Sequence, residues 1–275
     1  MRDKDCVAFL QGHLPCLELR WPGFRKVRGT VCKRLRRRLR ELGLDDLDAY
    51  AAYLADRPEE WARLDALCRI PISRFYRDRE VFETLRARVL PELAQRVANE
   101  GEREVRAWSA GCASGEEPYS LTIVWTETVQ RRAQGVRLVI TATDAEPIML
   151  DRAERACYSA GSLKDLPQEW RERAFTRQDD SLCLRPAYKG GTCFLLQDIR
   201  AAMPGGPYHV VLCRNLVFTY FDVEQQRKLL PELAAHLHAK AYLVLGSHEE
   251  LPPGSTGFRP AFGSLPIYQK QNSAG

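Results

Sequence analysis

The feature that most constrains the fold is an alternation of strand-like and helix-like segments that begins near residue 104. The segment EVRAWSA at 104–110 is typical of a strand, EEPYSLTIVWTETVQRR at 116–132 of a helix, and RLVITATD at 137–144 of a second strand. The alternation continues to the strand-like AYLVLGS at 241–247. Parallel strands need crossover helices, which cover both faces of a sheet, so this order predicts an α/β fold with a doubly wound parallel sheet.

Two regions depart from this alternation. Residues 26–70 contain short helical patterns and nothing strand-like, so we predict a helical N-terminal domain over residues 1–72. Residues 158–192 are polar, with one short strand-like piece, and predict a small insertion. The second domain is then expected over residues 73–275, with the insertion inside it.

Composition bears on the compartment and on metal binding. Charges lie within the first five residues and no long apolar run follows, so we expect no signal peptide, no membrane insertion and a cytoplasmic location. The nine cysteines are odd in number, and no two are spaced as CxxC. We therefore expect reduced thiols packed as small hydrophobic side chains, without a disulfide framework, a zinc site or another metal.

The charge is unevenly distributed along the chain. Residues 20–40 contain ten basic residues and no acid, whereas the whole chain has a net charge of +5, which leaves −5 for the rest. A basic helix over 27–42 would attract an anionic partner, such as an acidic protein, nucleic acid or lipid headgroups. No aromatic residues are interleaved among the arginines of this helix, which disfavours nucleic acid, and a solvated face without any partner remains an alternative.

The loop after the first strand, WSAGCASGEEPYS at 108–120, constrains the ligand. Gly111 and Gly115 do not form the GxGxxG pattern of a dinucleotide site, and the Gly-Lys-Ser/Thr of a phosphate-binding loop is absent. Glu116 and Glu117 would repel a pyrophosphate but tolerate a cationic ligand. Asp144 ends the second strand, where a carboxylate can accept hydrogen bonds from ribose hydroxyls. The set favours S-adenosylmethionine, although the two glutamates could instead only cap a helix.

Four stretches resemble the chemotaxis receptor methyltransferase (CheR) family. They are SRFYRD at 73–78, the loop at 108–120, CRNLVFTYFD at 213–222 and LGSHEEL at 245–251. The resemblance runs from about residue 24 to residue 270 and implies a Rossmann-like class I methyltransferase sheet with a helical N-terminal domain and a small β insertion. It also implies transfer of a methyl group from S-adenosylmethionine to glutamate side chains of chemoreceptors, with S-adenosylhomocysteine as the product.

The resemblance assigns roles to individual residues of this chain. Arg77 and Tyr220 are expected at the reaction centre, with Arg77 facing it and Tyr220 close to the methyl group. The residues expected around the cofactor are Ser73, Arg77, Gly111, Glu117, Asp144, Asp198, Ile199, Arg214 and Asn215. The chain departs from the family pattern at Pro71, where an asparagine is usual, and CRNLVFTYFD is one residue longer than the usual form.

Several functions are compatible with these residues. The first is methylation of glutamates in an acidic, chemoreceptor-like protein that is attracted by the basic helix. The second is O-methylation of a small molecule. The third is a non-catalytic module that binds S-adenosylmethionine or S-adenosylhomocysteine and signals through a partner.

Overall fold

The computed structural model describes residues 2–133 and 135–271, which form two compact units. One unit contains the residues up to Ile70 together with Thr219–Arg227, and the other contains Pro71–Phe218 together with the residues from Lys228 on. The sequence-based division placed Thr219–Arg227 in the second domain, whereas its contacts group it with the helical unit. Backbone contacts account for this: Leu19 pairs with Phe221, and the amide of Asp222 donates to the carbonyl of Glu18 at 2.9 Å.

The first unit is helical. Its helices are α1 (Asp3–His13), α2 (Trp21–Phe24), α3 (Arg28–Leu42), α4 (Leu47–Asp56) and α5 (Pro58–Cys68). The basic helix is α3, and it buries one apolar stripe formed by Val31, Cys32, Leu35 and Leu39. Gly43 ends this helix in the left-handed region at φ 68°, where a residue without a Cβ carries no steric penalty.

The second unit is built on a seven-stranded sheet. The strands of the chain are β1 (Glu104–Ala110), β2 (Arg137–Asp144), β3 (Cys157–Tyr158), β4 (Phe175–Gln178), β5 (Ser181–Leu184), β6 (Thr192–Leu196), β7 (Tyr208–Leu212), β8 (Leu237–Val244), β9 (Phe258–Pro260) and β10 (Ile267–Lys270). The large sheet has the order β6-β2-β1-β7-β8-β10-β9, and its first five strands are mutually parallel. This confirms the predicted Rossmann-like fold.

Seven further α-helices follow α5 in the described chain. They are α6 (Arg79–Thr84), α7 (Leu90–Asn99), α8 (Glu116–Val124), α9 (Pro147–Arg155), α10 (Gln168–Ala174), α11 (Val217–Tyr220) and α12 (Val223–Ala235). Of these, α8, α9 and α12 lie between consecutive strands of the large sheet. Because β1, β2, β7 and β8 run in parallel, their carboxyl ends meet at one edge of the sheet. The loops that follow these strands therefore lie side by side, at the edge where α/β folds bind their ligands.

The insertion contains an antiparallel three-stranded sheet of order β3-β5-β4, as the family resemblance implied. Cys157 of β3 lies directly opposite Cys183 of β5, and the two form a disulfide. A second disulfide joins Cys6 of α1 to Cys32 of α3 in the helical unit. The expectation of reduced thiols was therefore wrong for these four residues, because pairing depends on tertiary neighbours and not on spacing along the chain.

Neither a membrane span nor a metal cluster is found in the part of the chain that the structure describes. Within residues 2–133 and 135–271, no helix combines the length and the apolar character needed to cross a bilayer. The same residues contain no group of three or more His, Cys, Asp or Glu side chains placed to hold a metal ion.

Candidate active site

The loop between β1 and α8 is held tightly against the end of β2. The amides of Gly111 and Cys112 both donate to the carbonyl of Thr143, at 2.8 and 2.9 Å. Gly111 and Gly115 have φ values of 72° and 87°, which glycine adopts without strain. The loop therefore turns sharply and brings its backbone to the sheet edge, as expected from its two glycines.

Asp144 connects this loop to the turn that follows β2. One carboxylate oxygen accepts the amide of Ala113 at 2.8 Å, and the other accepts the amide of Glu146 at 3.0 Å. A carboxylate has about four lone-pair sites, so such a group can order two backbone segments and also accept hydrogen bonds from a ligand. Its position at the carboxyl end of β2 is the one that the sequence predicts for recognition of a ribose.

Arg214 forms the centre of a buried ionic network. Its guanidinium donates to a carboxylate oxygen of Glu117 at 2.9 Å and to one of Asp78 at 2.8 Å. It also donates to the carbonyl of Arg77 at 2.8 Å and lies 5.2 Å from the ring centre of Phe82. Only 2% of the Arg214 side chain is exposed, and its Nε is buried without a hydrogen-bond partner. The network joins three segments that are far apart in the sequence.

The two carboxylates of this network respond differently to their surroundings. Burial raises the pKa of Glu117, and the Arg214 guanidinium opposes that rise. Burial also acts to raise the pKa of Asp78, but Arg214 and the amide of Ser247 outweigh it and leave that pKa below its ordinary value. The second oxygen of Glu117 accepts the hydroxyl of Ser109 at 2.7 Å. Each carboxylate oxygen of Glu117 therefore already accepts one hydrogen bond within the protein.

Glu116 is a buried carboxyl group, which the loop pattern placed with Glu117 near a cationic ligand but which the family resemblance did not assign to the cofactor. It accepts the hydroxyls of Ser114, at 3.0 and 3.1 Å, and of Ser73. No basic side chain among the described residues forms an ion pair with it, and burial raises its pKa. Ser73 was predicted to lie near the cofactor, and its contact with Glu116 places it beside the first turn of α8.

Asn215 lies at the carboxyl end of β7 in a left-handed conformation, with a φ of 56°. Its amide donates to a carboxylate oxygen of Glu249 at 2.8 Å, and the same oxygen accepts the amide of Gly246 at 2.6 Å. Glu249 is buried and thus joins the loops after β7 and β8. A Cβ at Gly246 would come within 2.5 Å of the Asn215 side chain, so only glycine fits there. Through Glu249, the 245–251 stretch therefore fixes the backbone of Asn215.

Asp198 and Ile199 follow β6, next to Asp144. The amide of Gln197 donates to the carbonyl of Asp144 at 2.9 Å, which fixes this segment. Asp198 is bound by the guanidinium of Arg200 at 2.7 Å, and Ile199 is buried. The side-chain oxygen of Gln197 is buried without a hydrogen-bond partner, and sequence reasoning did not identify this residue.

Arg77 and Tyr220, the two residues predicted at the reaction centre, belong to different units. Arg77 is half-buried, and its guanidinium donates to the carbonyl of Ile72 at 2.8 Å. Tyr220 lies in the segment that groups with the helical unit, where its ring is 5.1 Å from that of Phe24. Its carbonyl accepts the amide of Arg20 at 2.8 Å. The second unit therefore contains all of the predicted site residues except Tyr220, and the roles of all of them remain predictions.

Comparison with known protein families gives two matches, which follow one another along the chain. Residues 26–65 match the family described as "CheR methyltransferase, all-alpha domain". Residues 72–264 match the family described as "CheR methyltransferase, SAM binding domain". These matches confirm the resemblance predicted from the four sequence stretches.

Individual relatives agree with the family matches. A protein of Rhodobacter capsulatus named "Uncharacterized 104.1 kDa protein in hypE 3'region" is 31% identical over 81% of this chain and 23% of its own length. A "Chemotaxis protein methyltransferase" of Listeria monocytogenes is 31% identical over 68% of each chain. "Chemotaxis protein methyltransferase 1" of Pseudomonas aeruginosa is 36% identical over 64% of this chain and 65% of its own. The chain thus spans about a quarter of the first relative and about two thirds of the other two.

The residues at the sheet edge fit the cofactor that the family description names. Asp144 accepts the amide of Ala113 in the glycine turn, Glu116 and Glu117 follow that turn directly, and the turn lacks a phosphate-binding lysine. This arrangement suits a ligand that carries a sulfonium, an amino group and a ribose but no phosphate, so the cofactor is S-adenosylmethionine and the protein is a methyltransferase that depends on it. The family matches cover well over half of the sequence, and the chain belongs to the CheR methyltransferase family.

Proposed function

We propose that the chain methylates glutamate side chains of an acidic, chemoreceptor-like protein in the cytoplasm. The observation that carries the proposal is the position of Arg77 near Asp78 and Glu117, two acids whose other cation, Arg214, is already paired with both. The positive charge of Arg77 acts to lower the pKa of both Asp78 and Glu117. No carboxylate of the described residues forms an ion pair with the Arg77 guanidinium. The acids of this site suit a cationic cofactor, and the Arg77 guanidinium, which is not paired with any of them, suits an anionic acceptor.

The contacts suggest which part of the cofactor each residue would bind. Asp144 would accept the ribose hydroxyls, and Asp198 and Ile199 would flank the adenine. Glu117 and Asp78, held by Arg214, would give the site the negative potential that a sulfonium and an amino group need. Ser73 and Asn215 would line the cofactor. Ser73 is held by the buried carboxyl group of Glu116, and Asn215 by that of Glu249.

A carboxylate acceptor makes few chemical demands on the protein. A glutamate has an ordinary pKa of about 4.3, so it is ionised at neutral pH and needs no general base. When bound, S-adenosylmethionine supplies an electrophilic methyl group, and the electron pair of the broken carbon–sulfur bond stays on sulfur. The chain has to align the acceptor oxygen with that methyl group and exclude water. The planar guanidinium of Arg77 would orient the acceptor carboxylate, and Tyr220 would pack near the methyl group.

The exposed cations of α3 support an acidic protein as the acceptor. Lys33, Arg36 and Arg40 are exposed on α3, outside its buried stripe. By contrast, Arg34 donates to the carbonyl of Leu67 at 3.0 Å, and Arg38 pairs with Glu60 at 2.6 Å. Only part of the basic helix is therefore available to a partner, and that part forms one stripe.

The test uses methyl-labelled S-adenosylmethionine, the purified chain and an extract of its host. We expect label on a protein band that mild alkali releases as methanol. Arg77→Ala should lower this transfer roughly a hundredfold, while Arg155→Ala, at an exposed arginine of α9, should leave it unchanged. Label confined to small molecules would favour a metabolite methyltransferase. Tight cofactor binding without transfer would favour a non-catalytic module.

A further inference from the structure

The second unit has a cleft of about 400 Å³ beside the segment 73–78. One wall carries Arg74, Tyr76, Asp78 and Arg79, and the other carries Lys164 and Asp165 from the start of the insertion. We call this the basic cleft. None of the residues predicted from the family resemblance lines it.

The walls of the basic cleft are fixed to one another. The guanidinium of Arg74 pairs with Asp165 at 3.3 Å, and the amide of Phe75 donates to the carbonyl of Ser162 at 2.9 Å. The buried ring of Phe75 also packs edge-on against Tyr158 and Phe175, with ring centres 4.8 and 5.2 Å apart. The cleft is therefore preformed, which lowers the entropic cost of binding a ligand in it.

The charges in the basic cleft are not balanced. Both of its carboxylates have partners, since Asp165 pairs with Arg74 and Asp78 pairs with Arg214. Arg79 and Lys164 are exposed, and neither forms an ion pair with a carboxylate of the described residues. Two cations are thus left to attract an anionic group into a cleft of fixed shape.

The basic cleft borders the candidate active site through Asp78. This residue lines the cleft and also accepts from Arg214, which binds Glu117 on the cofactor side. Arg77, the proposed anchor of the reacting carboxylate, lies between Tyr76 and Asp78 in the chain. A peptide whose glutamate reaches Arg77 would place its neighbouring residues at the cleft.

We propose that the basic cleft binds a second carboxylate of the acceptor, carried by a residue near the methylated glutamate. The inference rests on the proposed function and narrows the substrate to acidic segments with several carboxylates close together. Arg79 and Lys164 are the residues that determine this preference, since their charges lack a partner within the chain.

The test compares two short peptides in binding to the full chain loaded with S-adenosylhomocysteine. Both have a central glutamate, flanked in one by glutamates and in the other by glutamines. By fluorescence anisotropy, we expect the wild type to prefer the glutamate-flanked peptide about fivefold, as for two partly exposed ion pairs. The double variant Arg79→Gln/Lys164→Gln should bind both peptides equally. The matched control Arg131→Gln/Arg155→Gln has the same net charge and should keep the preference.

Two results would overturn the proposal. One is that the wild type shows no preference for the glutamate-flanked peptide, and the other is that the control variant loses this preference as fully as the Arg79→Gln/Lys164→Gln variant does. Either result can be told apart from failure of the proposed function, because methyl transfer to a protein carboxylate is measured separately. Transfer without a preference would reject the basic cleft alone. A preference without transfer would leave the basic cleft as a site for acidic peptides and reject the enzymatic role.

Discussion

Arg214 and Arg36 carry the same charge in opposite surroundings. Arg214 is buried at the carboxyl edge of the sheet, where two carboxylates, a carbonyl and an aromatic ring surround its guanidinium. Arg36 lies on the exposed face of α3. The buried arginine fixes the geometry of a small ligand's site, whereas the exposed one can only add to the attraction of a large partner.

The difference follows from how charges interact with water. A buried charge has lost its hydration, so removing its partner leaves an uncompensated ion in a medium of low dielectric constant. An exposed charge is hydrated and screened, and its pairing contributes little to stability. We therefore expect substitutions around Arg214 to alter folding and cofactor binding, and substitutions at the exposed positions of α3 to alter mainly partner binding.

The largest effect is expected at Arg214. Arg214→Leu would leave Asp78 and Glu117 without their shared cation, and we expect the free energy of unfolding to fall by about 3–5 kcal/mol. Thermal or denaturant unfolding measures this. The control is Arg227→Ala, which removes an exposed pair with Glu224 and should cost about 0.5 kcal/mol or less. Equal losses in the two variants would contradict the contrast between buried and exposed charges.

The next effect is expected at Asp144, in cofactor affinity. Asp144→Ala removes the acceptor for the amides of Ala113 and Glu146 and the proposed acceptor for the ribose. Hydrogen bonds to a charged group contribute about 1.5–3 kcal/mol, so the Kd for S-adenosylhomocysteine should rise roughly 10- to 100-fold. Isothermal titration calorimetry measures the Kd, with Asp151→Ala on the exposed side of α9 as the control. An unchanged Kd would show that Asp144 does not bind the cofactor.

A smaller effect, visible through its pH dependence, is expected at Glu116. Burial raises the pKa of this carboxyl above its ordinary value of 4.5. The stabilisation that such a group contributes is fully present at pH values below its pKa in the unfolded chain. It is lost as the pH rises through the pKa that the group has in the folded protein. Glu116→Gln keeps an acceptor for the two serine hydroxyls and does not ionise. Its stability relative to the wild type should therefore increase as the pH rises above 4.5.

Denaturant unfolding at several pH values would measure that trend. A shift of one unit in the pKa of Glu116 on folding corresponds to about 1.4 kcal/mol in the free energy of unfolding. Glu154→Gln, at an exposed position of α9, should show no such trend. A pH-independent difference between Glu116→Gln and the wild type would mean that the carboxyl is solvated in the folded protein.

The smallest effect on stability is expected on the exposed face of α3. Lys33→Gln/Arg36→Gln should change the free energy of unfolding by about 0.5 kcal/mol or less. It should weaken binding of an acidic acceptor a few-fold at low salt, and less at high salt. Arg38→Gln, in the same helix, removes the partner of the buried Glu60 and should instead destabilise the fold. If Lys33→Gln/Arg36→Gln lowered the free energy of unfolding as much as Arg38→Gln does, the contrast between exposed and buried charges would be wrong.

Much of the fold and part of the site follow from local patterns. The alternation after residue 104 predicts the parallel sheet, because strand and helix periodicities are visible within short windows. The glycine turn and the acid at the end of β2 are likewise local features. Both lie at the edge of the sheet where the strand order predicts them.

The rest depends on contacts between residues that are distant in the chain. Arg214 meets Glu117 across 97 positions and Asp78 across 136, and no periodicity signals such pairs. Tyr220 follows a strand of the second unit, yet its segment groups with the helical unit through contacts near residues 18–24. The disulfides arise in the same way, since Cys157 and Cys183 become neighbours only when β3 pairs with β5.

In the proposed reaction the acceptor is a carboxylate, positioned by Arg77 and methylated without a general base. The most direct measurement is the rate constant of methyl transfer in the saturated complex between about pH 6 and 9, where a carboxylate of ordinary pKa is already ionised. We expect the same rate constant across this range. A rate that climbs about tenfold per pH unit would show that the acceptor must lose a proton, as a hydroxyl or an ammonium group does, and would contradict the account.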